Sequence, residues 1–271
     1  PPYGFLHQGN QDEAEFAANA ASWLDDKINE IGASNVAAFV AEPIQGAGGV
    51  IVPPAGYFKH IQEICRRHDI LFVADEVITG FGRTGQWFAS QTMELEPDMM
   101  ALAKGLTSGY VPMSAVMVGD RVANKLIADG GEFYHGFTYS GHPVAAAVAL
   151  ANLELIERED MITRVREDTG PYLAEALAPL AEHRIVGEIR TFGVLAAIEL
   201  VKSKDGPEMF EDTGATGVIC RDHAINRGLM MRAVRDAMIL SPALTYSRAD
   251  IDETVRIAAQ ALDATADQLG L

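Results

Sequence analysis

Of the six lysines in the chain, Lys104 alone is set among small and apolar neighbours, in MMALAKGLTSG (residues 99–109). Lys27, Lys59 and Lys125 fall on polar helical faces, and Lys202 and Lys204 in a charged loop, as solvated surface residues do. A lysine closing a buried apolar strand loses hydration, which disfavours its ammonium form and exposes the neutral amine that attacks carbonyl carbon. Read from this segment alone, Lys104 is either such an amine or a lysine snorkelling from a strand end. Asp75 poses the complementary question. It lies near the end of the apolar run ILFVADEV (70–77), where an ionised carboxylate is costly without a cationic partner. It is either a turn cap or the partner of a buried cation. A protonated pyridine nitrogen is such a cation, and pyridoxal phosphate carries one together with an aldehyde that Lys104 could capture. If the strand runs through residue 77, alternation puts Asp75 and Val77 on one face, the carboxylate at the ring nitrogen and the valine under the ring.

The same stretch carries two competing motifs. Gly80, Gly82 and Gly85 have the Gly-x-Gly-x-x-Gly spacing of a dinucleotide turn. That turn needs its first glycine directly after the strand and a helix opening at its third. Here Asp75 and Glu76 intervene, and QWFASQTMELEPD makes a poor crossover helix. The apolar run ending in Asp-Glu also looks like the magnesium-binding strand of an ATPase, but residues 1–69 contain no G-x-x-x-x-G-K-[ST] phosphate loop.

The elements that would position these residues are legible as a sequence of buried strands and helices. VAAFVAE (36–42) and ILFVADEV (70–77) read as strands covered on both faces, with an amphipathic helix over 55–68 between them. Further apolar runs at 99–104 and 114–119 precede an Ala-rich helix from Pro143 to about Glu157. Strand, helix, strand with loops at the carboxyl ends predicts an α/β domain with a mainly parallel sheet over residues 1–158. Over 159–271 the pattern becomes mixed: a long charged helix (161–182), the strand-like RIVGEIR and VLAAIEL, a helix (213–227), short strands around GLMMR and AMILS, and an amphipathic helix (248–268). This predicts a smaller α+β domain.

Four stretches, in order, carry a family resemblance: VAEPIQGAGGV (40–50), VADEVITGFGRTGQWF (73–88), ALAKGLTSGYVPMSAVMVG (101–119) and HGFTYSGHPVAAAVAL (135–150). Together they resemble the class III aminotransferases among the fold-type I pyridoxal-phosphate enzymes. The resemblance implies Lys104 as the lysine that holds the cofactor, Asp75 at its ring nitrogen, Val77 against the ring and Glu42 close by. It implies Thr138, with Phe137, at the cofactor phosphate across the interface of a homodimer with shared active sites. The glycines around Arg83 would then shape a loop, with Arg83 structural.

Transamination needs one base to move a proton at the substrate carbon, and Lys104 suits that role. A keto-acid acceptor needs a carboxylate clamp, usually a bidentate arginine. Arg232, in GLMMRAVRDAMILSPAL, matches the arginine that does this in the ω-amino acid:pyruvate group, although read alone it is equally an ordinary surface arginine. Arg235 departs from that group, which usually has glycine before the aspartate; it would compete for the carboxylate or pair with Asp236. Ornithine- and GABA-type relatives carry a glutamate at the position of Ala47 and an arginine at that of Ile239, and both are missing here. The resemblance therefore points to ω-transaminases, with pyruvate as acceptor and a β-alanine-like, taurine-like, diamine or arylalkylamine donor. Two other readings stay open: an aminomutase of the same superfamily, and a catalytically incomplete fragment that serves as a dimerisation module. Family members carry a longer N-terminal portion holding the phosphate cup and an aromatic ring-stacking residue. The chain opens at Pro-Pro-Tyr, so it is expected to be part of a longer product and to bind cofactor poorly alone.

Composition narrows the partners. The formal net charge over 271 residues is −17, a surface that repels nucleic-acid backbones and anionic lipid. No apolar run approaches the ~20 residues of a membrane span and no secretory leader is recognisable. Cys65 and Cys220, far apart in helix-like segments, suit a reducing compartment, and cytoplasmic residence is expected. His60 and His68, or His135 and His142, lack a helical zinc-pair spacing, and no metal is expected.

Overall fold

A computed structural model describes residues 2–130, 132–204 and 208–271. The chain divides into two compact units, one of residues 1–44, 53–82 and 86–160, the other of residues 45–52, 83–85 and 161–271.

In the first unit, a short turn of helix α1 (Gly4–His7) precedes the long helix α2 (Glu13–Ile31). Asp12 starts α2 by accepting the Glu15 N–H at 2.8 Å, and Phe16, Ala17, Ala21 and Ile28 form its buried stripe. That stripe packs with Tyr57, Phe58, Ile61, Ile64 and Cys65 of helix α3 (Tyr57–Arg67) and with Phe72. Strands β1 (Ala38–Ala41), β2 (Leu71–Asp75) and β3 (Met99–Leu102) are parallel, in register Ala41 beside Ala74 and Asp75 beside Ala101. Strand β4 (Ala115–Val118) closes the sheet antiparallel to β3, giving the order β1-β2-β3-β4. Helices α4 (Ala89–Thr92), α5 (Asp120–Asp129) and α6 (Pro143–Arg158) complete the unit.

Three expectations are corrected here. The strand predicted over 70–77 stops at Asp75 because Glu76 turns inward, so Val77 lies in a turn and strand alternation does not place it. Lys104 is not the end of a buried strand. It is exposed, two residues past β3, where a 3₁₀ turn (Lys104–Leu106) opens. The apolar run at 114–119 forms β4 but is largely uncovered, with Val116 and Met117 62% and 58% exposed.

The second unit is an antiparallel sheet of β5 (Val186–Phe192), β6 (Leu195–Leu200), β7 (Arg232–Val234) and β8 (Ala237–Leu240), in the order β5-β6-β8-β7. Helices α9 (Ala215–Ile225) and α10 (Arg248–Leu269) cover it, and Leu173, Leu177, Ile198, Leu200, Met238, Ile251 and Leu262 fill the core. The long helix expected over 161–182 forms over that whole span, its winding passing from α7 (Met161–Arg164) through a π turn (Val165–Thr169) and α8 (Gly170–Leu177) to a closing 3₁₀ turn (Ala178–Glu182). The winding changes around Pro171 and Pro179, which lack the N–H of a regular α-helix. A Cβ at Gly170 would come within 2.5 Å of the Val165 carbonyl oxygen, so the wide turn tolerates only glycine there.

Candidate active site

The first unit brings three of the sequence-marked residues to one edge. Glu42 follows β1, Asp75 ends β2 and Lys104 lies just past β3, so all three stand at the carboxyl ends of neighbouring parallel strands. In open α/β sheets this is the edge where ligands bind. Asp75 is half-buried, and its Oδ1 accepts the Val77 N–H at 3.0 Å. Among the described residues that is its single hydrogen bond, which leaves Oδ2 uncommitted. Lys104 Nζ is exposed and makes no hydrogen bond or ion pair among the described residues. Its backbone has φ +39°, a conformation rare outside glycine that tends to mark functional turns.

A group that sequence reasoning passed over fixes the loop between β2 and α4. Glu76 is fully buried, and its carboxylate accepts four hydrogen bonds: from Thr79 Oγ1 (2.5 Å), the Ala89 N–H (3.0 Å), and the Ser90 N–H and Oγ (2.6 Å each). These donors account for the inward turn that ends β2. The sequence signal was the second carboxylate of Asp-Glu with a threonine three residues on. Glu76 is therefore a structural carboxylate and no magnesium ligand. Gly80 also serves this loop, since a Cβ there would meet the Glu76 carbonyl oxygen at 2.9 Å.

Phe137 and Thr138 lie in an exposed segment ahead of α6, where Phe137 is 77% exposed. The remaining marked residues belong to the second unit. Arg232 is the exposed first residue of β7, and its side chain makes no hydrogen bond or ion pair among the described residues. Arg83 donates to the Pro242 carbonyl oxygen, and burial pushes its guanidinium down to about 10. Asp236 accepts the Gly214 and Gly217 N–H groups at 2.9 Å each, so the expected pairing with Arg235 is not made. Arg235 instead sits in the β7–β8 turn at φ +52°.

An exposed amine without a partner, beside a carboxylate with one unspent oxygen, fits a ligand that offers an aldehyde and a protonated ring nitrogen. Sequence comparison gives the class. The profile of the family Aminotransferase class-III matches residues 3–262, and the chain belongs to that family. Its cofactor is pyridoxal 5′-phosphate and its architecture is fold type I.

The chain is 54% identical over 265 residues to the putrescine–pyruvate aminotransferase of Pseudomonas aeruginosa, a match covering 98% of this chain and 58% of that protein. It is 40% identical to the vanillin aminotransferase of Capsicum annuum, covering 98% and 58%. Among solved structures, the ω-transaminase from Pseudomonas jessenii in complex with PMP superposes with a TM-score of 0.94 at 41% identity, covering all of this chain and 60% of that one. The thermostable (S)-enantioselective ω-transaminase from Thermomicrobium roseum gives 0.93 at 40%, covering 98% and 59%. The chain thus spans a little under three fifths of the length of these curated relatives.

Proposed function

We propose that the protein containing this chain transfers an amino group from an ω-amino acid or a diamine to pyruvate. The observation that carries this is the pair of Lys104, without a partner, and Asp75, half-committed, at the carboxyl edge of a sheet in a chain 54% identical over 265 residues to a putrescine–pyruvate aminotransferase.

When bound, pyridoxal phosphate supplies the aldehyde that takes up the amino group and a ring that accepts the electron pair left as the substrate carbon loses its proton. In this reading Asp75 Oδ2 holds a proton on the ring nitrogen, keeping the ring an electron acceptor. Lys104 Nζ holds the cofactor at rest. Once substrate displaces it, Lys104 takes the proton from the amine-bearing carbon and returns it later as the general acid. Val77 packs against the ring, Glu42 orients ring or substrate amine, and Thr138 with Phe137 contacts the phosphate. Arg232 grips the keto-acid carboxylate through two parallel N–H donors.

The same reading includes a homodimer with shared active sites. Its support is the exposed aromatic run ahead of α6, where Phe133, Tyr134, Phe137 and Tyr139 are 67–87% exposed. It also includes cytoplasmic residence, supported by the free, buried thiols of Cys65 and Cys220. Among the described residues, no helix is long and apolar enough to cross a membrane.

The test is alanine formation from pyruvate with putrescine as donor, measured on this chain and on a form extended at its N-terminus to the length of the relatives. Pyruvate-dependent turnover in the extended form, lost by at least ~100-fold in Lys104→Ala, is expected. Turnover that needs no keto acid would indicate an aminomutase, and turnover that survives Lys104→Ala would end this reading.

A further inference from the structure

The turn that carries Lys104 is clamped by a side chain to which neither the family motifs nor the reaction chemistry drew attention. Asn152, half-buried in the middle of α6, donates through Nδ2 to the carbonyl oxygens of Gly105 (2.8 Å) and Leu106 (3.1 Å). Its Oδ1 accepts the Ser108 hydroxyl at 2.6 Å. One amide thus uses both of its ends on the four residues after Lys104. The turn needs such a clamp because it holds two non-glycine residues at positive φ, Lys104 at +39° and Ser108 at +49°. Its internal hydrogen bonds are also long, with Thr107 N–H to the Lys104 carbonyl oxygen at 3.2 Å and Ser108 N–H to that of Gly105 at 3.4 Å. From the opposite side the Phe81 ring presses on Gly105, where a Cβ would lie 2.8 Å from a ring carbon.

Resting on the reading of Lys104 as the cofactor-binding amine, we propose that Asn152 is the positioning residue for that amine. It fixes the strained 105–108 backbone so that Nζ is presented in one pose. Among the described residues Asn152 hydrogen-bonds neither Nζ nor any marked site residue, and in this reading it acts through the turn alone. Because α6 also begins directly after the segment bearing Phe137 and Thr138, one helix would set both the lysine turn and the phosphate contact.

Asn152→Asp tests the donor at constant size, and Asn152→Ala removes the whole amide. The first readout is amide hydrogen exchange without cofactor. In both variants the amides of Leu106, Thr107 and Ser108 should exchange ~10-fold faster than in the parent, with β2 and β3 unchanged. The second is the share of borohydride-trapped pyridoxal phosphate found on Lys104 relative to the surface lysines Lys27, Lys59 and Lys125, expected to fall ~10-fold in both. Unchanged exchange in the turn, or a rise shared equally by β2 and β3, overturns the inference, as does an Asn152→Asp chain that traps on Lys104 as the parent does. The trapping is read on the form extended at its N-terminus, where a parent with no label on Lys104 would instead count against the proposed function, while the exchange result still decides the clamp.

Discussion

At the residue scale, Arg235 shows how the backbone explains a departure that sequence alone left open. The ω-amino acid:pyruvate group that the sequence resembles is expected to have glycine before this aspartate, and the β7–β8 turn holds Arg235 at φ +52°, where a side chain is strained and glycine is not. Its neighbour gives no compensation, because the Asp236 carboxylate is taken by two N–H groups at the start of α9. Arg235→Gly should therefore stabilise the chain by about 0.5–1 kcal/mol, read as a higher urea midpoint at unchanged slope. Lys104 teaches the converse lesson. Its neighbours, small and apolar, set it apart in the sequence from the other five lysines, yet the expected burial is absent. Apolar neighbours in sequence reported the strand before it, and the 3₁₀ turn then lifted the side chain out.

At the element scale, strands and helices with strong periodicity were legible: β1, β6, α3 and α9 fall within the segments that their patterns mark, and β5, α6 and α10 overrun theirs only at the C-terminal end. The boundary of β2 failed where a side chain overrode the pattern, since Glu76 ended the strand two residues early by drawing donors from 79, 89 and 90. The helix over 161–182 kept its expected span, and Pro171 and Pro179 altered only its winding. Helix α2 is hard to read from sequence because alanine makes up much of its buried stripe, and so small a side chain marks an apolar face only weakly.

That helix meets α3 through Asp25, which accepts hydrogen bonds from His68 Nε2 (2.5 Å) and Arg67 (2.7 Å). The His68 hydrogen bond, first, holds the Asp25 carboxyl below its usual value of 3.8 against the opposing effect of burial, and Arg67 adds to the lowering. A folded-state value below the unfolded one stabilises above the unfolded value and is lost as pH falls through the folded one. Asp25→Asn should thus cost about 0.5–1 kcal/mol at pH 7, modest because the pair is partly exposed. Chemical denaturation of parent and variant from pH 7 downward should show that difference closing below about pH 4. A constant difference would mean that the carboxylate charge is not what joins the two helices.

At the scale of the whole molecule, the mixed, mainly parallel sheet of the first unit agrees with fold type I, and the family is shown by a profile over residues 3–262. The four linked motifs made this legible because each one sits at a strand end or loop whose chemistry constrains it. Less legible was what holds those loops in place: Glu76 behind Asp75 and Asn152 behind Lys104 are ordinary polar residues whose partners lie from 3 to 47 positions away along the chain. Such supporting hydrogen bonds have no spacing rule, so only the folded chain displays them.

The central claim is that Lys104 is the amine that holds the cofactor. The most direct measurement is to add pyridoxal phosphate to this chain and to its N-terminally extended form, reduce with borohydride and map the labelled peptide. The account predicts label on the peptide containing Lys104 in the extended form, lost in Lys104→Ala and diminished in Asp75→Asn. Label scattered over Lys27, Lys59 and Lys125 in both forms, with none on Lys104, would contradict it.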